Sequence, residues 1–154
     1  MTTPWLPPYE EGLLSYFLLY STLATLTHSL ATYLRPLPSL QAFSGPNAPA
    51  RSPLLAHIYG LANLLAAGIR GAAAYHIHDA PVYDLALLSF GAVLGLYVAE
   101  VGVWRTVRVR EGVVPVVAAG IGVVWMGWSR GGYLYLFDSG QGDGVEAGGW
   151  IFGL

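Results

Sequence analysis

The sequence contains no cysteine and no lysine, and only 10% of its 154 residues are charged. Without cysteine, disulfide bonds, haem-thiolate ligation and thiolate metal sites are excluded. The formal net charge is −2, so the chain lacks the strongly basic surface that nucleic-acid binding requires. Ordinary soluble domains carry about 25% charged residues, and this chain therefore has too few polar groups to cover a globular surface in water.

Hydrophobic residues make up 55% of the chain and are arranged in long runs. The first run, residues 13–33, carries no formal charge and matches the roughly 20 residues that cross a bilayer as a helix. Three further runs cover residues 54–75, 82–104 and 113–130. These segments predict an all-α fold, an integral membrane four-helix bundle with four transmembrane helices in one domain of residues 1–132.

The remaining segments separate these runs and set the predicted orientation. Pro36 and Pro38 end the first helix, because proline removes a backbone N–H and restricts the residue before it. Residues 133–154 are predicted to form a flexible, glycine-rich acidic tail. Because arginine is concentrated in the first and third loops, the positive-inside rule predicts cytoplasmic loops and lumenal termini. The loop arginines are Arg35, Arg51, Arg105, Arg108 and Arg110, with Arg70 and Arg130 near the other face.

Arg70, Asp84 and Glu100 are charged residues within the second and third predicted helices. Arg70 is near the end of the second segment and Glu100 near the end of the third, at the opposite face, so a direct pair between them is not required. Such groups either face the protein interior or a partner, or extend to the nearest interface; both alternatives stay open. Asp84, which follows Pro81, suits a helix N-terminus, where its carboxylate meets unsatisfied N–H groups.

The best candidate for chemistry is the turn that contains His76, His78 and Asp79. A working zinc site needs three or four ligands brought together, and the other two histidines, His28 and His57, lie in different segments. The sequence therefore predicts hydrogen-bonding histidines, with no catalytic residue, metal or cofactor assigned. The alternative is a small polytopic membrane enzyme or transporter that uses this turn.

An ungapped series of short motifs runs through residues 56–106. The series resembles the ergosterol biosynthetic protein 28 family, which are small endoplasmic-reticulum membrane proteins of fungi and animals. Three positions depart from the family pattern, with His57 in place of arginine, Ala62 in place of tryptophan and Leu96 in place of histidine. The motifs are Ala56-His57-Ile58-Tyr59-Gly60, Ile69-Arg70, Ile77-His78-Asp79 followed by Tyr83, and Gly95-Leu96-Tyr97-Val98-Ala99-Glu100, continuing to Arg105-Thr106.

The resemblance implies a multi-pass scaffold in the endoplasmic reticulum membrane rather than an enzyme. It implies three partners in sterol (ergosterol) biosynthesis: the sterol C-4 methyl oxidase, the sterol C-3 dehydrogenase/decarboxylase and the 3-keto sterol reductase. It also links the chain to the sterol C-24 methyltransferase. The candidate structural or partner-binding residues are Arg70, Glu100 and Arg105, which match the family pattern, together with Asp84.

Overall fold

The structure is a computed structural model that describes residues 6–7 and 12–138, with side chains up to residue 134. Within these ranges the chain is helical and contains no strand, so the all-α fold class is confirmed. The helices are α1 (Leu13–Leu34), α2 (Pro36–Ser39), α3 (Pro53–Tyr75), α4 (Ala80–Gly102) and α5 (Val109–Asp138).

Helices α1, α3 and α4 begin and end within about two residues of the predicted segments, whereas α5 is longer than its segment. It begins at Val109 and continues to Asp138, so the first residues of the predicted tail are helical. The extension has a physical reason, because Tyr133 and Leu134 pack against the hydrophobic core. The rest of that tail, residues 139–154, lies outside the described residues.

Helix α2 is a single turn inside the predicted first loop. It begins at Pro36, and proline is favoured at the first helical position, where its missing N–H has no intrahelical partner to lose. Helix α1 ends just before it, with the Arg35 N–H donating to the Ala31 carbonyl at 2.8 Å. The proline pair therefore ends α1 as predicted and starts a new turn.

Within the described residues, two helices are long and apolar enough to cross a membrane, judged by length and composition: α4, and α5 from Val109 to Leu134. The four-span prediction is thus supported for two of its segments. Helix α1 is rich in hydroxyl residues, and α3 contains His57, Asn63 and Arg70, which lowers the hydropathy of both. Spanning by α1 and α3 stays a prediction.

The long helices pack as neighbours in chain order, α1 against α3, α3 against α4 and α4 against α5. The connection between α3 and α4 is short, and the Asp79 carboxylate accepts from the Val82 N–H at 3.4 Å to cap α4. The cap is therefore Asp79, and the prediction that Asp84 sits at this N-terminus is wrong. The buried core includes Leu14, Leu18, Ala73, Ile77, Tyr83, Phe90 and Met126.

The α1–α3 contact is close enough to bring backbone against side chain. The Ser29 hydroxyl donates to the Gly60 carbonyl at 2.7 Å, and a Cβ built on Gly60 would collide with the Thr32 hydroxyl. Small residues permit such approaches between membrane helices. Gly68, on the same helix, has nothing within 4 Å of the equivalent point, so this glycine does not lie at the contact with α1.

Candidate functional site

The candidate site is built around Arg70, a charged side chain that is only 5% exposed. Its Nε donates to the Ser89 hydroxyl at 3.0 Å, and its Nη2 donates to the Ser89 carbonyl at 3.3 Å. Its Nη1 donates to the hydroxyls of Ser21 at 3.1 Å and Thr25 at 3.4 Å. The guanidinium carbon lies 3.7 Å from the centroid of the Phe90 ring, in a cation–π contact. We call these five residues the Arg70 cluster.

The Arg70 cluster joins three helices, since Ser21 and Thr25 lie on α1 and Ser89 lies on α4. The Thr25 hydroxyl donates to the Ser21 carbonyl at 2.7 Å, and the Ser89 hydroxyl donates to the Ala86 carbonyl at 2.7 Å. Because these protons are used by the helix backbone, the two hydroxyls present lone pairs to the guanidinium. Arg70 therefore faces the interior of the bundle.

A cavity of about 410 Å³ lies beside the Arg70 cluster and is lined by α1, α3, α4 and α5. Along α3 its lining runs from Tyr59 to Arg70, a length of about 16 Å at 1.5 Å per helical residue. The Tyr59 and Tyr97 hydroxyls are 2.7 Å apart and share a hydrogen bond. Most of the wall is apolar and includes Phe17, Ala66, Val93, Val114 and Pro115.

Two buried polar atoms on the cavity lining have no hydrogen-bond partner within the described protein. They are Nδ2 of Asn63 and Oε2 of Glu111. Buried polar groups in native proteins almost always have a partner, and leaving one unpaired costs about 1–3 kcal/mol. The cavity thus offers an unused donor and an unused acceptor on an otherwise apolar wall.

Hydrogen bonds also join two loops at one end of the bundle. The Gly45 N–H donates to the Thr106 carbonyl at 2.7 Å, and the Asn47 N–H donates to the Arg105 carbonyl at 3.4 Å. The Asn47 side-chain amide donates to the Trp104 carbonyl at 3.0 Å. A Cβ on Gly45 would collide with the Arg105 carbonyl, so only glycine permits this approach. We call these segments, 44–47 and 104–108, the loop clasp.

Glu100 holds the same connection from the end of α4. Its carboxylate accepts from the Thr106 hydroxyl, and its carbonyl accepts from the Thr106 N–H at 2.9 Å. The bonds fix a turn in which Arg105 has φ of 56°, a left-handed conformation that costs about 1–2 kcal/mol outside glycine. Over the residues that the structure describes, no hydrogen bond or ion pair joins Glu100 to Arg70.

Asp84 lies toward the opposite end of the bundle, where it pairs with Arg130 of α5. Both oxygens of its carboxylate accept from the Arg130 guanidinium, at 2.8 and 2.7 Å. The two side chains are about half exposed, at 47% and 49%, and exposed pairs contribute only about 0.2–1 kcal/mol. Asp84 therefore links α4 to α5 at the surface.

In the structure, His76, His78 and Asp79 have different surroundings and do not converge on one point. Asp79 caps α4, Nδ1 of His78 lies 3.0 Å from the Tyr133 carbonyl, and His76 is exposed. Between residues 12 and 138, no group of three or more His, Asp or Glu side chains is placed to hold a metal ion. His78 and Asp79 therefore take part in hydrogen bonds within the protein.

The three departures from the family pattern lie outside the buried core. The His57 ring stacks on Tyr33, with ring centroids 5.1 Å apart and an interplanar angle of 8°. Ala62 is exposed, and Leu96 is 42% exposed. Substitutions at these positions are therefore compatible with the packing of the buried core.

Several site residues are absent from the sequence predictions. The Thr25 hydroxyl bonds its own helix backbone and also accepts from Arg70. The four-residue spacing of Ser21 and Thr25 was an available signal, because it places both on one helix face. Asn63 precedes Arg70 by two helical turns and shares its face, whereas nothing in the sequence points to Glu111.

One comparison with known proteins identifies the family. A family model described as "Erg28 like protein" matches residues 14–124, which is more than half of the chain. The match includes the Arg70 cluster, the loop clasp and the residues that line the cavity. No curated protein and no solved structure matches the chain. The match associates the chain with sterol biosynthesis, and the two apolar helices are compatible with a membrane location. The chain belongs to the Erg28-like family.

Proposed function

We propose that this chain is a non-catalytic scaffold in the endoplasmic reticulum membrane that holds enzymes of sterol C-4 demethylation together. The observation that carries the proposal is the family match over residues 14–124. The proposed partners are the sterol C-4 methyl oxidase, the C-3 dehydrogenase/decarboxylase and the 3-keto sterol reductase, with the C-24 methyltransferase as a further one. A shared platform raises the effective concentration of each enzyme near the one that supplies its substrate.

The proposal includes four transmembrane helices, of which α4 and α5 have the required length and composition. Several polar side chains of α1 and α3 turn inward, since Ser29, Thr32 and Arg70 are buried. Large apolar side chains cover their outer surfaces, with Leu30 58% and Leu61 50% exposed. Extensive exposed apolar surface is uncommon on soluble monomers and is stable against lipid.

The partner-binding surface that we propose is the end of the bundle that carries the loop clasp. Bonds across the clasp, including one from Arg108 Nε to the Ser44 carbonyl at 2.9 Å, make one surface of two loops. This surface is basic, and a basic surface favours acidic segments of partner domains. Its five arginines, Arg35, Arg51, Arg105, Arg108 and Arg110, are all exposed.

Affinity purification of the tagged protein in mild detergent, followed by mass spectrometry, tests this function. Recovery of the C-4 demethylation enzymes together is the expected result. Stable protein in the endoplasmic reticulum that recovers none of them would refute the scaffold.

Charge reversal then tests the surface. Arg51→Glu with Arg110→Glu changes two exposed side chains that make no hydrogen bond or ion pair with any residue that the structure describes, so the fold should survive while enzyme recovery falls. The control is Arg130→Gln near the opposite end of the bundle. Equal recovery from both variants would place partner binding elsewhere.

A substitution at Glu100 tests whether the loop clasp needs the hydrogen bond from the Thr106 hydroxyl to the Glu100 carboxylate. Glu100→Ala removes the acceptor for the Thr106 hydroxyl and should loosen the α4–α5 connection, so that trypsin cleaves after its exposed arginines faster than in the wild type. Glu100→Gln keeps an acceptor oxygen at the same place and should protect the connection better. If Glu100→Ala is cleaved no faster than the wild type and recovers the same enzymes, this carboxylate does not hold the surface together.

A further inference from the structure

The cavity beside the Arg70 cluster has the size of a ligand site and is about half open to its surroundings. Its volume of about 410 Å³ falls within the roughly 300–1,000 Å³ typical of small-molecule sites. It extends along α3 for about 16 Å, which suits an elongated molecule rather than a compact one. Its lining comes from all four long helices, so a molecule bound there would contact the whole bundle.

The side chains of the wall indicate a rigid apolar ligand. Alanines from three helices face the cavity, namely Ala24, Ala66, Ala118 and Ala119. Side chains that end at Cβ have no rotamer freedom to lose, so a rigid apolar body packs against them with little further ordering. A flexible chain would lose more conformational entropy to make the same contacts.

Arg70 indicates the charge of the ligand. All four of its hydrogen-bond acceptors belong to neutral groups, and among the residues that the structure describes no carboxylate lies within 4 Å of it. A guanidinium has five N–H groups, so one remains after these four bonds. A hydrogen bond between charged groups is roughly twice as strong as a neutral one, so a carboxylate oxygen is the acceptor that this remaining N–H would bind best.

Asn63 adds a second donor on the same face of α3, two turns before Arg70. Its Nδ2 is buried without a partner and lines the cavity. An oxygen on the ligand body would satisfy it. Glu111 provides an acceptor, and because it lies at the start of α5 it is close to the clasp end of the bundle, away from the cationic end of the cavity.

We propose that this cavity binds a steroid that carries a carboxylate, with the carboxylate paired to Arg70 and the ring system packed along the alanine wall. The steroid body rests on the proposed function, whereas the carboxylate rests on Arg70 alone. Oxidation of a methyl group to the acid stage yields a carboxylate, and a decarboxylase consumes one. The bound molecule is therefore the intermediate that passes between two enzymes of the scaffold.

Equilibrium binding to the purified full-length protein in detergent tests the proposal with three probes. They are a sterol with a carboxylate at carbon 4, the same sterol without the carboxylate, and oleate. The sterol acid should bind about tenfold or more tightly than the neutral sterol, as expected for one charge-assisted pair. Equal affinity for the two sterols would overturn the pairing with Arg70. Oleate binding as tightly as the sterol acid would overturn the steroid assignment.

Variants place the bound probe in the cavity. Ala66→Leu fills the space and should abolish binding of both sterols, while Ala62→Leu, an exposed position on the same helix, should leave binding unchanged. Arg70→Gln should remove only the preference for the acid, and Arg70→Lys should retain part of it. If Arg70→Gln does not fold, the comparison of Ala66→Leu with Ala62→Leu still tests whether the probe binds in the cavity. Equal sterol binding by these two variants would refute the cavity as the binding site.

The binding test and the scaffold test fail independently. A wild-type protein that recovers the enzymes but binds no sterol acid refutes the cavity proposal alone. A protein that binds the sterol acid but recovers no enzyme refutes the scaffold alone.

Discussion

The close approach of α1 and α3 at Gly60 predicts a large difference between two substitutions of the same type on one helix. Gly60→Ala places a methyl group where the Thr32 hydroxyl lies, and Gly68→Ala places one in open space. Alanine is favoured over glycine within a helix by about 0.5–1 kcal/mol, and this gain is common to both variants. Subtracting one result from the other therefore isolates the cost of separating the two helices.

The structure sets the size of that cost. Inserting a methyl group into a packed interface typically costs about 1–3 kcal/mol. If α1 shifts to make room, the bond from the Ser29 hydroxyl to the Gly60 carbonyl, now 2.7 Å, is lengthened or lost, which adds about 0.5–1.5 kcal/mol. We expect Gly60→Ala to be less stable than Gly68→Ala by about 2–4 kcal/mol, and Gly68→Ala to match or exceed the wild type.

Reversible unfolding in mixed detergent micelles, followed by circular dichroism, measures both variants under one condition. Thr32→Ala in the Gly60→Ala background provides an internal check, because removing the hydroxyl should recover part of the loss. Equal stability of the two alanine variants would refute the close packing of α1 on α3, and with it the placement of Ser21 and Thr25 beside Arg70.

The structure also sets the expected loss of stability for changes at two contacts of α4 with α5. Tyr83→Phe removes a buried hydroxyl that donates to the Met126 carbonyl at 2.6 Å, and it should lower the free energy of unfolding by about 1–3 kcal/mol. Tyr33→Phe removes an exposed hydroxyl whose bond to the His57 carbonyl is 3.3 Å long, and it should lower that free energy by less than about 0.5 kcal/mol, the usual limit for surface changes. Similar losses from both, in thermal unfolding, would contradict the buried α4–α5 bond. A double-mutant cycle on Asp84 and Arg130 should give a coupling energy of about 0.2–1 kcal/mol that falls with added salt. A coupling energy above about 2 kcal/mol would contradict the half-exposed position of the two side chains.

The helix boundaries show how far local signals reach. Apolar length and the Pro36–Pro38 pair predicted α1, α3 and α4 to within about two residues, because proline acts on its own backbone and on the residue before it. The end of α5 was missed, since its continuation past Arg130 depends on Tyr133 and Leu134 packing against other helices.

The site residues differ in the same way. Arg70 and Glu100 stood out in the sequence because charged residues are rare in the apolar segments of this chain. The groups to which they hydrogen-bond could not be inferred. The hydroxyls around Arg70 come from α1 and α4, and many similar hydroxyls in α1 make no such contact. Asp84 was assigned to a helix cap from its position after a proline, whereas Arg130, distant in the chain, is its actual partner.

The sequence by itself determined the all-α fold class, the existence of four long helices and the family motifs. Composition, apolar length and proline position act locally and need no partner. Only the tertiary structure decided which polar groups meet: the cluster around Arg70, the unpaired atoms of Asn63 and Glu111, and the loop clasp. The reason is physical, because a hydrogen bond or a cavity wall requires groups from different helices within a few ångströms, and helix rotation and depth are set by packing along the whole bundle.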